Sequence, residues 1–156
     1  MPDPLVDVQP RLLWSFRTVL LHDVSCDRDG DPRLVMGTGG PADLLEVATA
    51  GVTLVSAAND FYPHLRVSVF DERPPPAVGW EQTQDAMFLA ASGVLKLDTV
   101  DPSEGVPIEL PRGGNVQVRA YCRGRTLAAS LHQANPQAFA YTDGVEEWLV
   151  HLWVNR

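Results

Sequence analysis

Lysine is almost absent from this chain. Lys96 is the only one among 156 residues, and the eleven arginines are scattered along the sequence. Twenty acidic residues outnumber these cations, so the formal net charge is −8. Proteins that bind nucleic acids do so largely through Lys and Arg side chains that neutralise phosphates. The composition therefore argues against a nucleic-acid partner and favours a soluble protein whose surface attracts basic proteins.

Cysteine is also scarce. Cys26 and Cys122 stand far apart in the sequence, and neither has a neighbour at a metal-ligand spacing. No apolar run reaches the roughly 18 residues needed to span a membrane, and the first ten residues lack the apolar segment of a secretion signal. We therefore expect a cytoplasmic protein with two reduced thiols. The preference for Arg over Lys, with abundant Pro and Ala, is typical of a GC-rich bacterial genome.

The motifs that mark common enzymes are missing as well. There is no G-x-S-x-G, and the glycine-rich residues 37–41 end in proline, without the Lys-Ser/Thr pair of a phosphate-binding loop. The histidines show none of the spacings of zinc sites; they are His22, His64, His132 and His151. Cys122 alternates with valines, which predicts a buried small side chain rather than a nucleophile. We expect no enzyme activity, no cofactor and no metal site.

An acidic turn at residues 27–31 leaves one alternative open. Asp27, Asp29 and Asp31 alternate around Gly30, and alternating carboxylates in a loop can offer oxygens to Ca²⁺. The order differs from that of an EF-hand, because the glycine precedes the third acid and no Glu follows until Glu46. A solvated acidic turn and a cation-binding loop both remain as interpretations.

Short stretches of alternating apolar and polar residues dominate the rest of the chain, and turn residues separate them. About eight such stretches occur at a spacing of roughly 8–12 residues, which is typical of sandwiches and barrels. The sequence therefore predicts an all-β fold, an antiparallel two-sheet β-sandwich of about eight strands. Residues 1–10 should form an extended N-terminal arm, and residues 11–156 a single β-sandwich domain. The predicted core residues are Trp14, Leu65, Val67, Val69, Val116, Val118, Trp148, Val150 and Leu152.

Two local predictions depend on this alternation. In residues 12–22, one set of alternate positions is bulkier and should face the core; it consists of Leu12, Trp14, Phe16, Thr18 and Leu20. Residues 84–91 and 94–100 should pair as a hairpin around Ser92 and Gly93. Residues 127–140 predict a short strand or a helical turn, limited by Pro136.

Aromatic residues in predicted loops indicate a binding surface, because loop aromatics on a rigid β scaffold are common anchors. Phe61 and Tyr62 precede the predicted strand 65–70, and Trp80 follows it. The later loop also carries acids, and prolines 74–76 should stiffen it. The predicted partner-binding residues are Asp71, Glu72, Trp80 and Glu81. The alternative for Trp80 is a lid that closes one end of the core.

Three stretches carry a resemblance to known proteins. HLRVSVFDERPP…GWEQ, LPRGGNVQVRAYCRGR and GVEEWLVHLW are similar to segments of small uncharacterised actinobacterial β-rich proteins with a C-terminal E-x-x-L-x-x-L-W strand. The layout also resembles that of the competence nuclease inhibitor family, acidic β-rich proteins that block a DNase. These resemblances imply a partner-binding β-sandwich and identify no site residue.

The charge, the missing catalytic motifs and the loop aromatics together predict a non-enzymatic acidic protein-binding module. Such a protein would act as an inhibitor or immunity-type partner of a basic protein, since acidic inhibitors gain association rate by steering basic partners. Two other classes remain open: a structural or assembly subunit, and a β-sandwich that binds Ca²⁺ or a small molecule.

Overall fold

The computed structural model describes residues 2–37 and 43–156. Most of the glycine-rich stretch at 37–41, which the sequence pattern marks as a turn, lies outside these residues. The described chain forms ten strands: β1 Val6–Val8, β2 Thr18–Asp23, β3 Leu45–Ala48, β4 Gly51–Val55, β5 Tyr62–Phe70, β6 Gln82–Ala90, β7 Val94–Asp98, β8 Val106–Glu109, β9 Gly114–Arg123 and β10 Asp143–Val154. Two helices, α1 Arg125–Ala134 and α2 Pro136–Phe139, lie between β9 and β10.

The strands form two five-stranded sheets that pack face to face. Sheet A has the order β1-β5-β10-β9-β6, and sheet B has the order β3-β4-β2-β7-β8. The predicted all-β two-sheet sandwich is confirmed. Two details differ from the prediction: the described residues contain ten strands rather than eight, and β5 pairs with β10 in parallel. Strand β1 lies within the predicted N-terminal arm and pairs with the edge of β5.

One main hydrophobic core fills the space between the sheets. All nine predicted core residues are buried there, from Trp14 to Leu152. The indoles of Trp14 and Trp148 stack in a tilted arrangement with ring centroids 5.2 Å apart. Alternation identified these positions because one side of each strand faces the opposite sheet. No helix in the described part of the chain is long and apolar enough to cross a membrane.

The predicted inward face of residues 12–22 is correct at Leu12 and Trp14 and wrong beyond them. Phe16 is 74% exposed, whereas Val19 and Leu21 are fully buried. Phe16 and Arg17 adopt left-handed backbone conformations, with φ of 56° and 65°. These two residues interrupt the extended backbone in a 3-10 turn before β2 begins. The alternation therefore restarts in the opposite phase, because a shift of one residue exchanges the two faces of a strand.

The predicted hairpin around Ser92 and Gly93 is also wrong. Strand β6 pairs with β9 in sheet A, whereas β7 pairs with β2 and β8 in sheet B. The turn therefore carries the chain from one sheet to the other. Gly93 has a φ of 75°, and a Cβ there would come within 3.1 Å of the backbone nitrogen of Gly113. Local sequence marks the turn correctly but does not indicate which sheet the next strand joins.

Helices α1 and α2 close one end of the sandwich, where the sequence predicted a strand or a helical turn. Pro136 begins α2, and the side chain of Asn135 caps this helix by accepting a hydrogen bond from the backbone nitrogen of Ala138 (3.1 Å). A second small cluster of buried residues lies beneath the helices; it consists of Ala58, Phe61, Ala128 and Phe139. The end of the molecule that includes residues 58–61 is therefore packed rather than open.

Candidate partner-binding surface

The connection between β5 and β6, residues 71–81, runs along the outer face of sheet A; we call it the crossover. Strands β5 and β6 point in the same direction. Strand β5 is parallel to β10, and β6 is antiparallel to β9, which is itself antiparallel to β10. A chain that leaves the end of β5 must therefore return along the sheet before it can enter β6. The crossover passes over the two strands between them, β10 and β9.

Aromatic side chains beneath the crossover form a buried layer on the outer face of sheet A. The imidazole of His151 lies edge-on to the rings of Phe70 and Tyr121, at 4.9 and 5.4 Å between centroids. The Tyr121 hydroxyl accepts a hydrogen bond from the backbone nitrogen of Ala77 (3.0 Å), and Pro74 is buried against the sheet. Burial lowers the pKa of His151, with a further contribution from nearby arginines. The crossover is thus held against the sheet rather than extended into solvent.

Trp80 and Glu81 lie at the β6 end of the crossover. The indole of Trp80 is partly exposed and does not belong to the main core. The guanidinium of Arg123 lies over its ring at 4.5 Å from the centroid, and the same group donates to the carbonyl of Gly79 (3.3 Å). Glu81 is exposed and accepts a hydrogen bond from the backbone nitrogen of Gly124 (3.2 Å). Trp80 is therefore fixed in orientation with part of its surface open to solvent.

Asp71 and Glu72 lie at the other end of the crossover. Asp71 forms ion pairs with Arg156 (3.3 Å) and Arg112 (3.7 Å), so its charge is compensated within the chain. Glu72 is exposed and has no ion pair within the described residues. Both acids line an open cavity of about 510 Å³ beside Trp153.

The structure thus separates the four predicted residues into two pairs on one face of the molecule. In sheet A, Phe70 of β5 is the register partner of Trp153 in β10. Gln82 of β6 is the register partner of Cys122 in β9, and Cys122 is in turn the partner of Trp148 in β10. These levels are five residues apart along β10, which corresponds to about 17 Å at the rise of a strand. Asp71 and Glu72 are therefore offset from Trp80 and Glu81 by about this length along the strands, and β10 and β9 lie between the strands that they adjoin.

The structure places the two aromatic residues at the start of β5, Phe61 and Tyr62, differently. Phe61 is fully buried in the second cluster, where its ring lies 4.8 Å from that of Phe139, so it cannot serve as a surface anchor. Tyr62 is partly exposed and shares a cleft with Trp80. Since the crossover returns along the sheet, the loops before and after β5 meet at this cleft.

This cleft, which we call the Trp80 cleft, has a volume of about 540 Å³. Its polar residues were not predicted from the sequence as a site; they include Arg11, His64, Arg66, Arg123, Asp143 and Glu147. Alternation does place the side chains at 64 and 66, and at 123, on the outer faces of their strands. What the sequence does not show is that β5, β9 and β10 are neighbours, which brings these outer faces together.

Ion pairs hold the arginines of the cleft in place. Arg11 donates from Nε and Nη2 to the two carboxylate oxygens of Asp143 (2.8 and 3.2 Å), and its guanidinium lies 3.7 Å over the ring of Tyr62. Arg123 donates from Nε and Nη2 to Glu147. The hydrogen bonds from Arg11 lower the pKa of Asp143, so this carboxylate stays ionised.

The acidic turn at 27–31 is closed by its own hydrogen bonds. Asp31 accepts from the backbone nitrogen of Arg33 and from its guanidinium, at 2.9 and 2.7 Å. Asp27 accepts from the backbone nitrogen of Asp29 (3.0 Å). The bonds from Arg33 lower the pKa of Asp31. Among the described residues, no group of three or more acids, histidines or cysteines has a metal-binding arrangement.

One other buried polar cluster surrounds His22, and the two cysteines are buried separately from it. His22 Nε2 lies 2.6 Å from a carboxylate oxygen of Asp98, and its Nδ1 lies 2.8 Å from the carbonyl of Asp23. No hydroxyl or thiol of the described residues hydrogen-bonds to this imidazole. Cys26 and Cys122 are free and buried, and burial raises the pKa of the Cys122 thiol, which keeps it protonated and unreactive.

No family model matches this chain, and a search of curated proteins gave no significant match. Two solved structures are similar to it in fold. ComJ, an inhibitor of the DNA degrading activity of NucA from Bacillus subtilis, has 12% sequence identity and a TM-score of 0.63 over 99% of both chains. The protein described as crocagin biosynthetic gene J has 15% identity and a TM-score of 0.58, over 97% of this chain and 100% of its own. At such identities the likeness shows a shared fold across the whole chain.

The first of these structures agrees in fold with the predicted resemblance to the competence nuclease inhibitor family. The resemblance to small actinobacterial proteins and their C-terminal motif stays a prediction.

Proposed function

We propose that this chain is a non-enzymatic protein-binding module of the inhibitor or immunity type, and that its partner is a basic protein. The observation that carries the proposal is the crossover, which presents a fixed aromatic side chain and exposed acids on one face of the sandwich. Asp71, Glu72, Trp80 and Glu81 are the proposed contact residues.

The dimensions of this face suit a single partner. The two ends of the crossover are about 17 Å apart along the strands. A stable interface buries about 800 Å² on each partner, which is roughly 30 Å across if it is circular. One interface can therefore cover both pairs of predicted residues together with Val78, which is 90% exposed between them.

The crossover is already ordered before a partner arrives. Asp71 is held by two arginines, Ala77 by Tyr121, and Glu81 by the backbone of Gly124. Three consecutive prolines at 74–76 restrict the backbone further. A surface that is fixed in advance loses little conformational entropy on binding, which favours affinity. Trp80 in particular provides a large contact area with few rotatable bonds.

Electrostatics favours a basic partner. The net charge of −8 steers positively charged proteins toward the chain and raises the association rate. On the crossover itself, Glu72 and Glu81 have no ion pair within the described residues, whereas Asp71 is compensated by arginines. We therefore expect Glu72 and Glu81 to contribute more to partner contact than Asp71.

The fold-wide likeness to ComJ supports a DNA-degrading enzyme as the specific partner. Enzymes that act on DNA carry Lys and Arg side chains that face the phosphates, so they belong to the class that an acidic protein attracts. An inhibitor of this kind would block the nuclease by covering its basic surface.

Affinity capture followed by an activity assay tests the proposal. The purified protein is immobilised and exposed to native lysate of its source cells at low and at moderate salt, beside a Trp80→Ala variant and a Val35→Ala control. Val35 is 71% exposed and lies outside the crossover. The proposal expects a basic protein to be retained by the parent and the control, to be lost from Trp80→Ala, and to show DNA-degrading activity that the parent suppresses. Equal retention by all three proteins, or none by any, would contradict it.

A further inference from the structure

Two residues that line the Trp80 cleft carry hydrogen-bond donors that no described residue uses; they are Arg66 and His64. Arg66 donates from Nε and Nη2 to the two oxygens of Asp7 (2.9 and 2.7 Å), which leaves Nη1 without a hydrogen bond within the described residues. A guanidinium has five N–H donors and no acceptor. Arg66 lines the cleft, so its Nη1 is an unused donor on a cleft residue.

His64 supplies a second unused donor two residues away on the same face of β5. Its side chain is exposed and makes no hydrogen bond within the described part of the chain. The ring lies against the backbone of Gly144, where an added Cβ would come within 3.2 Å of the imidazole. Gly144 has a φ of 77°, so both the space and the backbone conformation at this position suit glycine. The imidazole is thus held at the cleft by packing, with its nitrogens available.

The carboxylates of the cleft are largely occupied. Both oxygens of Asp143 accept from Arg11, and one oxygen of Glu147 accepts two hydrogen bonds from Arg123. Each of these carboxylates is ion-paired with an arginine, so neither offers an uncompensated charge to a cationic ligand. A carboxylate or a phosphate on a ligand provides the acceptors that guanidinium and imidazole donors match.

The remaining walls of the cleft are flat and apolar. The rings of Tyr62 and Trp80 line the cleft, each with an arginine over one of its two faces, together with the partly exposed side chain of Leu149. The volume of about 540 Å³ falls within the range of about 300–1,000 Å³ that is usual for small-molecule sites. The cleft therefore has room for a flat or apolar body next to the donor group.

We propose that the Trp80 cleft binds a small organic anion, whose carboxylate or phosphate head accepts hydrogen bonds from Arg66 and His64 while its flat body packs against Trp80 and Leu149. This site goes beyond the protein-binding role, and it does not require a protein partner.

Titration of the isolated protein with matched probes tests this site. Benzoate and phenyl phosphate share a flat body and differ in the anionic head, benzamide keeps the body without the charge, and inorganic phosphate keeps the charge without the body. Binding is followed by calorimetry and by the NMR signal of His64, at constant ionic strength. The variants are Arg66→Gln and His64→Ala, and Arg119→Gln is the control because Arg119 is paired in the same way with Asp85 on the same sheet face outside the cleft.

The proposal expects saturable binding of benzoate or phenyl phosphate, weakened roughly tenfold or more in Arg66→Gln, since a hydrogen bond to a charged group contributes on that scale. His64→Ala should weaken it as well, and Arg119→Gln should leave it unchanged. The stronger of the two probes identifies whether the head is a carboxylate or a phosphate. Binding that is absent for both, or equal for benzamide, or equally weakened by Arg119→Gln would overturn the site. Partner capture is measured separately, so failure of one proposal is distinguishable from failure of the other.

Discussion

The carboxylate of Glu146 accepts a hydrogen bond from the indole nitrogen of Trp148, two residues along the same strand, and both side chains are buried. The second oxygen of Glu146 accepts from Ser56 and from the backbone nitrogen of Ala57, at 3.1 Å each. Sequence alternation places both 146 and 148 on the inner face of β10, but gives no reason for a carboxylate there. The hydrogen bonds explain how the fold tolerates it, because a buried polar group is costly only when unpaired.

Glu146 should make stability depend on pH. Burial raises the pKa of this carboxyl above its ordinary 4.5, and the bond from Trp148 opposes that change. The folded protein therefore retains a proton that the unfolded chain has already released, so the free energy of unfolding falls as pH rises from about 4.5 until the folded carboxyl also ionises. Glu146→Gln cannot titrate, and we expect its Tm relative to the parent to increase over that range and then level off. A Tm difference that does not change with pH would rule out this account.

Gly79 and Gly124 provide a matched test of backbone strain against steric clash. Both have a φ of 85°, but a Cβ at Gly79 meets nothing within 4 Å, whereas one at Gly124 would clash with the backbone carbonyl oxygen of Val145. We expect Gly79→Ala to lower the free energy of unfolding by about 1–2 kcal/mol through conformation alone. Gly124→Ala should cost considerably more or prevent folding. Urea unfolding of both variants checks this, and equal losses would show that the clash is absent.

At Tyr141, the glycine variant should be more stable than the alanine variant, which is the reverse of the usual order. Its φ is 63° and its side chain is 66% exposed, so the residue is strained with little packing to lose. Tyr141→Gly should be more stable than Tyr141→Ala by about 1 kcal/mol, because glycine adopts this backbone freely. At Gln133 in α1, the same pair of substitutions should give the opposite order by a similar amount. The same preference for alanine at both positions would contradict the left-handed backbone at Tyr141.

Alternation along single strands was enough to predict the fold class and the core. Val67, Val118 and Val150 were placed on inner faces from local pattern alone, and all three are buried. The pattern failed where a feature is not local. Left-handed residues at 16 and 17 reversed the phase before β2, which no side-chain pattern there indicates.

The candidate surface depends on strand order, which local sequence does not contain. Tyr62 begins β5 and Trp80 lies ten residues beyond its end, and they share a cleft because the parallel pairing of β5 with β10 requires the chain to return along the sheet. The sequence predicts Asp71 and Trp80 as parts of one loop. Because the crossover runs back along the sheet, the two residues lie at its opposite ends. Phe61 was misassigned because helices α1 and α2, which bury it, were not predicted in full.

Two double variants distinguish long-range electrostatic attraction of a basic partner from direct contact with it. Glu72→Gln with Glu81→Gln, and Asp27→Asn with Asp29→Asn, each change the net charge from −8 to −6 by removing two acids. Both should slow association with a basic partner to a similar extent, since steering follows the overall field. Only the first pair should also raise the dissociation rate, because only those side chains belong to the proposed contact. Surface plasmon resonance with the captured partner checks both rates, and faster dissociation for the Asp27 and Asp29 pair instead would move the contact to the acidic turn.

Trp80→Ala tests the central claim most directly. Its affinity for the captured partner and its Tm are measured side by side with those of the parent. If the crossover is the binding surface, the substitution weakens binding by about 2 kcal/mol or more, as expected for an aromatic anchor, and the Tm stays close to that of the parent. If binding is unchanged while the Tm falls, Trp80 is a lid on the sheet, and the crossover is not the partner-binding surface.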